Sequence, residues 1–83
     1  MIAYVGHERD GWCLYGPSRK VPCLGMLGVH HITTKGSGGS DVPENLITLC
    51  KKHHDMAHNA RITKQDLYDI LARLYGYLYP GQT

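Results

Sequence analysis

Apolar residues recur along this chain in two rhythms, and the clearer one lies near the C-terminus. Leu67, Ile70, Leu71, Leu74, Tyr75 and Leu78 stand at i, i+3, i+4, i+7, i+8 and i+11, which is one face of an α-helix. Thr63 sits where an N-cap belongs, Asp66 three residues on stands in for the Glu of a capping box, and Pro80-Gly81 supplies a stop. The pattern predicts a packing helix over about 64–79 that covers a small core.

The middle of the chain has a different rhythm, with short apolar runs on either side of a polar stretch. LGMLGVHHITT (24–34) reads as an extended segment rich in β-branched residues towards its end. NLITLC (45–50) reads as a second short strand or as the approach to a helix, and KKHHDMAHNA (51–60) has the residues of a short helix. Between the runs, KGSGGSDVP (35–43) has the composition of a loop. The predicted order is strand, loop, strand, helix. Upstream, Gly16-Pro17-Ser18 between Cys13 and Cys23 reads as a turn joining two short strands, an N-terminal hairpin. Residues 1–12 open with Ile2, Ala3, Tyr4 and Val5 and then turn polar, so a first strand and a loosely ordered arm are equal readings. No internal repeat is present. The expectation is a small α+β single domain over residues 1–83.

Length sharpens this picture. A chain of 83 residues has room for one core and buries a modest share of its surface, so a disulfide or metal staple would help it fold. No apolar run approaches the roughly 18 residues of a membrane span. MIAYVGHERDGW lacks the basic-then-apolar order of a secretory signal, which makes a reducing cytoplasm the expected compartment. Three cysteines cannot all pair within one chain. In a reducing compartment they read, with the histidines, as metal ligands or as small buried residues. The net charge of +2 says little about partners, but its distribution says more. Arg19, Lys20, Lys35, Lys51, Lys52 and Arg61 outnumber Asp41, Glu44 and Asp55 around the middle of the chain. A site handling a polyanion wants such an excess, and ordinary solvated surface is the competing reading.

Five of the six histidines fall between Val29 and His58, while His7 stands alone and reads as incidental. His54 and His58 are four apart, so on a helix they share a face and can share a metal ion. His30-His31 on a neighbouring strand offers a third ligand, and three protein ligands leave open positions of the kind catalytic metal sites keep. Neighbours on a strand point to opposite sides, so the two histidines divide the work, one as ligand and one as general base. Both reach one cleft only if the strand is locally irregular.

The whole stretch HHITTKGSGGSDVPENLITLCKKHHDMAH (30–58) closely resembles the HNH endonuclease family, whose active site is a ββα-metal (His-Me finger) unit. It looks most like the small stand-alone HNH proteins of phages and bacteria, and the order His31, Asn45, His54, His58 is also similar to the colicin DNase version. Residue by residue, the resemblance implies that His30, His54 and His58 bind one divalent metal ion (Mg2+, Mn2+, Ni2+ or Zn2+). It implies that His31 is the general base that activates water, and that Asn45 ties the loop together and holds the base. The implied reaction is hydrolysis of DNA by a one-metal mechanism that leaves 5′-phosphate and 3′-hydroxyl ends. Lys35, Lys51 and Lys52 are reasonable phosphate contacts that the motif does not fix.

Many HNH domains also carry a structural zinc on two Cys-x2-Cys pairs. Here Cys50-x2-His53 stands at the second pair, and the first pair is replaced by Cys13 and Cys23, nine residues apart. A hairpin turning at Gly16-Pro17 would bring Cys13, Cys23, Cys50 and His53 into one closed zinc site. Buried free cysteines and a Cys13–Cys23 disulfide are the competing readings. The resemblance implies DNA as the partner, without a membrane. A homodimer contact through Tyr75, Tyr77 and Tyr79 and a partner such as phage packaging machinery stay open. The alternative function is a zinc-stabilised DNA-binding or packaging accessory module with little nuclease activity.

Overall fold

The computed structural model describes residues 4–34, 36 and 38–77, without the side chain of His7. Lys35, the Ile2-Ala3 start of the first apolar run, and Leu78, Tyr79 and Pro80-Gly81 lie outside the described residues. Two antiparallel strands form its centre: β1 (Leu27–His31) and β2 (Leu46–Cys50) pair in register from Leu27 opposite Cys50 to His31 opposite Leu46. Helix α2 (Lys51–His58) leaves β2 without a linker, and α3 (Lys64–Tyr75) packs over the core. The strand–loop–strand–helix reading therefore holds, and the protein is a small α+β fold around a ββα core.

All five residues of β2 are buried, whereas β1 is exposed at its start and half-buried at its end. That difference explains why LITLC is apolar without alternation: both of its faces are covered. Leu14, Ile47, Leu49, Ile62, Leu67, Ile70 and Leu71 make up most of the core. Fully burying a leucine or isoleucine side chain is worth about 1.5–3 kcal/mol, so this cluster carries much of the fold's cohesion.

The N-terminal region departs from the hairpin expected there. Residues Tyr4–Asp10 form a π-helical turn, closed by Gly11 N–H to the Gly6 carbonyl at 3.1 Å, and α1 (Tyr15–Arg19) is a short α-helix. Pro17 does not break α1, because it lies in the first turn, where backbone N–H groups have no intrahelical partner. Lys20 closes the helix in the left-handed conformation at φ 57°. The polar half of the first segment is folded inward: Arg9 binds the Asp10 carboxylate (2.7 and 3.1 Å) and donates to the Pro43 carbonyl at 2.7 Å. Asp10 in turn accepts the Thr48 N–H at 3.0 Å, and Leu14 N–H donates to the Thr48 carbonyl at 3.0 Å. These contacts close the outer edge of β2, which would otherwise present unpaired backbone groups.

Helix α3 begins as the sequence indicates. Thr63 accepts from the Asp66 N–H and Asp66 accepts from the Thr63 N–H, a complete capping box. It ends four residues before the expected stop, because Gly76 takes the left-handed conformation (φ 73°) and its N–H caps the Ala72 carbonyl. Leu67, Ile70 and Leu71 are buried, while Leu74 stays half exposed beside the five-residue α1, which is too short to cover it. Tyr75 closes the packing by donating to Asp10 at 2.9 Å and to the Arg9 carbonyl at 3.2 Å, with its ring under the Arg9 guanidinium at 4.8 Å. Burial, reinforced by the bond to Asp10, pushes the Tyr75 hydroxyl up to about 12. No helix among the described residues is long and apolar enough to cross a membrane.

The loop between the strands is fixed by one side chain. Asn45 ends a 3-10 turn (Pro43–Asn45) and is buried; its Oδ1 accepts the Thr33 N–H at 2.8 Å. Its Nδ2 donates to the carbonyls of Thr33 and Ser40, each at 2.9 Å, and Tyr68 on α3 donates to Oδ1 at 2.9 Å. A Cβ on Gly39 would lie 1.8 Å from the Thr33 carbonyl oxygen and 2.9 Å from Asn45 Nδ2. Gly39→Ala is therefore expected to destabilise the protein by about 1–3 kcal/mol, the cost of overpacking a site where backbone must move. Chemical denaturation of the variant against wild type measures this, and an unchanged midpoint would mean the loop gives way freely.

Candidate functional site

Two side-chain clusters flank α2, and two adjacent residues of that helix point one into each. Successive residues on a helix are rotated by about 100°, so His53 and His54 diverge. His53 is buried, and its Nδ1 lies 3.1 Å from Cys50 Sγ, 3.5 Å from Cys13 Sγ and 3.8 Å from Cys23 Sγ. The four ligand atoms all lie within 4.8 Å of one another, and the three cysteines are free thiols. Among the described residues this is the one set of Cys, His, Asp or Glu side chains gathered so closely.

The spacing suits a metal ion. A tetrahedral centre with metal–sulfur bonds of about 2.3 Å and metal–nitrogen bonds near 2.1 Å has ligand–ligand edges of roughly 3.6–3.8 Å. Ionisation points the same way. Cys23 is pushed up to about 12 by burial and by the neighbouring Cys13 and Cys50, so three thiolates cannot coexist there uncompensated. Burial also opposes ionisation of Cys50, yet hydrogen bonds from the backbone of His53 and Leu24 outweigh it and lower that thiol. Burial, with help from Lys52, lowers His53, which keeps the imidazole neutral and its nitrogen available as a ligand. Gly16 supplies the room: a Cβ there would meet Cys23 Sγ at 2.2 Å, the Val21 carbonyl at 3.1 Å and the His53 ring at 3.5 Å. The expected grouping of Cys13, Cys23, Cys50 and His53 thus appears. It is reached through helix α1 and the segment that follows it, not through the expected hairpin.

On the other side of α2, a cavity of about 340 Å³ is lined by Val29, His30, His31, Thr34, His54 and His58. The His30 and His54 rings meet edge to face, with centroids 5.0 Å apart. His30 is pulled down to about 4 by burial and by His54, His31 and His58 around it, so its imidazole is neutral at physiological pH. His30 and His31 both reach the cavity because His31 is the last residue of β1 and the chain bends directly after it. That end of the strand is the irregularity the sequence required. A larger cleft of about 630 Å³ shares His30, Thr34 and His58 and runs past Ala60, Thr63 and Lys64 at the start of α3.

The remaining expected residues divide. Asn45 stands behind the cavity as the loop clamp described above. Lys51 and Lys52 are exposed on α2, with Lys51 paired to Asp55 at 2.8 Å. Lys35 lies outside the described residues. One residue that sequence reasoning passed over is Asp41, counted there only as loop composition and charge. Its carboxylate pairs with His31 Nε2, a contact across ten residues for which the sequence carries no periodic signal.

An antiparallel strand pair running into a helix, with histidines from strand and helix on one cavity, is a ββα core. The HNH endonuclease family model matches residues 19–60, half of the chain, and the chain belongs to that family. Proteins of this family act on DNA, generally as endonucleases. No curated protein and no solved structure matches the chain at a significant level.

Metal analysis of the purified protein is expected to find one tightly held transition-metal ion per chain, lost in Cys50→Ser. Gly16→Ala, which crowds Cys23, is expected to release that ion to a chelator about tenfold faster, the equivalent of roughly 1.4 kcal/mol. Equal metal content in wild type and Cys50→Ser would remove the cluster from consideration.

Proposed function

We propose that the protein is a metal-dependent DNA endonuclease with His31 as its general base. The observation that carries this is the convergence of His30, His31, His54 and His58 on one cavity in a chain of the HNH family. His30, His54 and His58 are the residues to hold a single divalent ion, and the neutral imidazole of His30 suits that task. When bound, such an ion supplies positive charge against the scissile phosphate and the departing oxygen. His31 takes a proton from water, the water oxygen bonds to phosphorus, and the bond from phosphorus to the 3′-oxygen breaks with its electron pair going to that oxygen. A proton from solvent completes the 3′-hydroxyl, and the other end keeps a 5′-phosphate. Asn45 acts at a distance, holding the loop that follows His31 so that the base stays in place.

On this reading Cys13, Cys23, Cys50 and His53 hold a structural zinc ion that fixes α2, the usual task of a closed site of thiolates and imidazole. Lys52 and, once freed from Asp55, Lys51 are candidate phosphate contacts, as is Lys35. Backbone contacts of this type position a duplex without reading its sequence, so weak sequence preference is expected. The second reading, a zinc-stabilised DNA-binding module, draws on the closer packing of the Cys/His cluster than of the cavity histidines.

Plasmid nicking with Mg2+, Mn2+, Ni2+ or Zn2+ separates the two. Wild type is expected to nick, EDTA to stop it, and added metal to restore it. His31→Ala is expected to lower the rate by about 10²–10⁴-fold, the usual contribution of a general base, while DNA binding and the cluster metal persist. No nicking by folded, zinc-loaded wild type in any of these metals would favour the binding module. Undiminished nicking by His31→Ala would reject the base assignment.

A further inference from the structure

His31 faces the cavity on one side and the strand-connecting loop on the other, where Asp41 meets its Nε2. Among the described residues no hydrogen bond engages the other ring nitrogen, Nδ1. The contact is a built one. Asn45 Nδ2 holds the Ser40 carbonyl at 2.9 Å, immediately before Asp41, and Gly39 N–H donates to the Thr34 carbonyl at 2.8 Å. The Asn45 N–H donates to the Val42 carbonyl at 2.9 Å, immediately after it. Asp41 is thus gripped on both sides by the residue that also fixes Thr33, two positions beyond His31. Residues 38–42 carry no helix or strand, so the Asp41 carboxylate is delivered to the imidazole by these backbone hydrogen bonds.

A neutral imidazole carries its proton on either nitrogen, and only the bare one can accept another. A carboxylate accepts a hydrogen bond from the ring nitrogen that faces it, and so selects the tautomer protonated on that nitrogen. We infer that Asp41 is the positioning residue for the base of the proposed endonuclease. Its carboxylate accepts the hydrogen bond of the His31 Nε2–H, leaves Nδ1 as the basic nitrogen, and stabilises the imidazolium formed when Nδ1 takes the proton of water. This rests on His31 being the base, as proposed above. It adds a carboxylate–imidazole pair to the roles that the family resemblance assigns to His31 and Asn45.

The test uses the full chain with its cluster metal, in wild type, Asp41→Ala and Asp41→Asn. Long-range proton–nitrogen spectra of histidine-labelled protein, at a pH where the ring is neutral, report which nitrogen of His31 is protonated. Wild type is expected to show the Nε2-protonated form and Asp41→Ala a mixture. Asp41→Asn, whose amide oxygen still accepts a hydrogen bond, is expected to keep the wild-type form. In nicking assays Asp41→Ala is expected to lower kcat by about 10- to 100-fold with KM changed by less than about twofold. Asp41→Asn, which keeps the tautomer but not the charge, is expected to fall between. An unchanged tautomer in Asp41→Ala overturns the inference even if nicking falls, and undiminished nicking overturns it as well. Equal losses in both variants, accompanied by a raised KM and a lower melting temperature, overturn it in favour of a loop-packing role. Inactive wild type with the tautomer shift present counts against the endonuclease reading and not against the Asp41–His31 pair.

Discussion

Burial of the His53 imidazole among three sulfurs sets the orientation of α2, and the histidine cavity follows from it. With His53 turned into the cluster, His54 and His58 have only the opposite side of the helix to occupy, where His30 and His31 arrive from β1. The cluster draws on four separated places: the approach to α1, the segment after it, the end of β2 and the first turn of α2. In so short a chain the hydrophobic core supplies a thin margin of stability, so a metal ion held by these four residues would matter more than it would in a larger domain. A rotation of α2 by one residue would bring a lysine to the cluster and His53 to the cavity, and both sites would be lost together.

The second dependency runs through Asn45. A side-chain amide has donors and an acceptor in one plane, and here all are used between backbone groups of Thr33 and Ser40. The hydroxyl of Tyr68 joins the same oxygen and also meets Thr33 Oγ1 at 2.7 Å, so α3 is tied to the loop as well as to the core. The capping box that starts α3 therefore has a consequence beyond helix stability, since it fixes the helix that presents Tyr68. A residue that the motif marks as functional turns out to work by satisfying buried backbone, whose polar groups must be paired somewhere.

At the N-terminus the Arg9–Asp10 pair closes β2's edge, and it is almost wholly buried, with side chains 3% and 0% exposed. Ion pairs so placed gain little net stability, because desolvation offsets most of the attraction. Their value here is placement. Asp10 and Leu14 occupy the hydrogen-bonding positions of a third strand, and Tyr75 and Tyr77 cover the guanidinium with their rings. Tyr75 and Tyr77 are thereby engaged within the chain itself.

Periodicity and fixed spacing were enough to read α3, its cap, the two strands and α2, because each is a local preference reinforced by burial of one face or of a whole run. The histidines that line one cavity were legible from their places at the end of a strand and four apart on a helix, and Asn45 from its place before β2. The N-terminal segment was not legible, because CLYGPSRKVPC satisfies a turn and a first helical turn equally well, and contact with β2 and α3 chose between them. Gly76 ended α3 early for a similarly local reason that the apolar repeat beyond it obscured. The four-residue Cys/His grouping was anticipated from the family resemblance, yet its path through α1 came from packing around Gly16. Asp41 lay beyond sequence reasoning altogether: an acid in a glycine-rich loop gains meaning only when Asn45 folds that loop back onto His31. What the chain fixed alone were the elements and the ligand types; which side chains face one another was decided by non-local backbone hydrogen bonds.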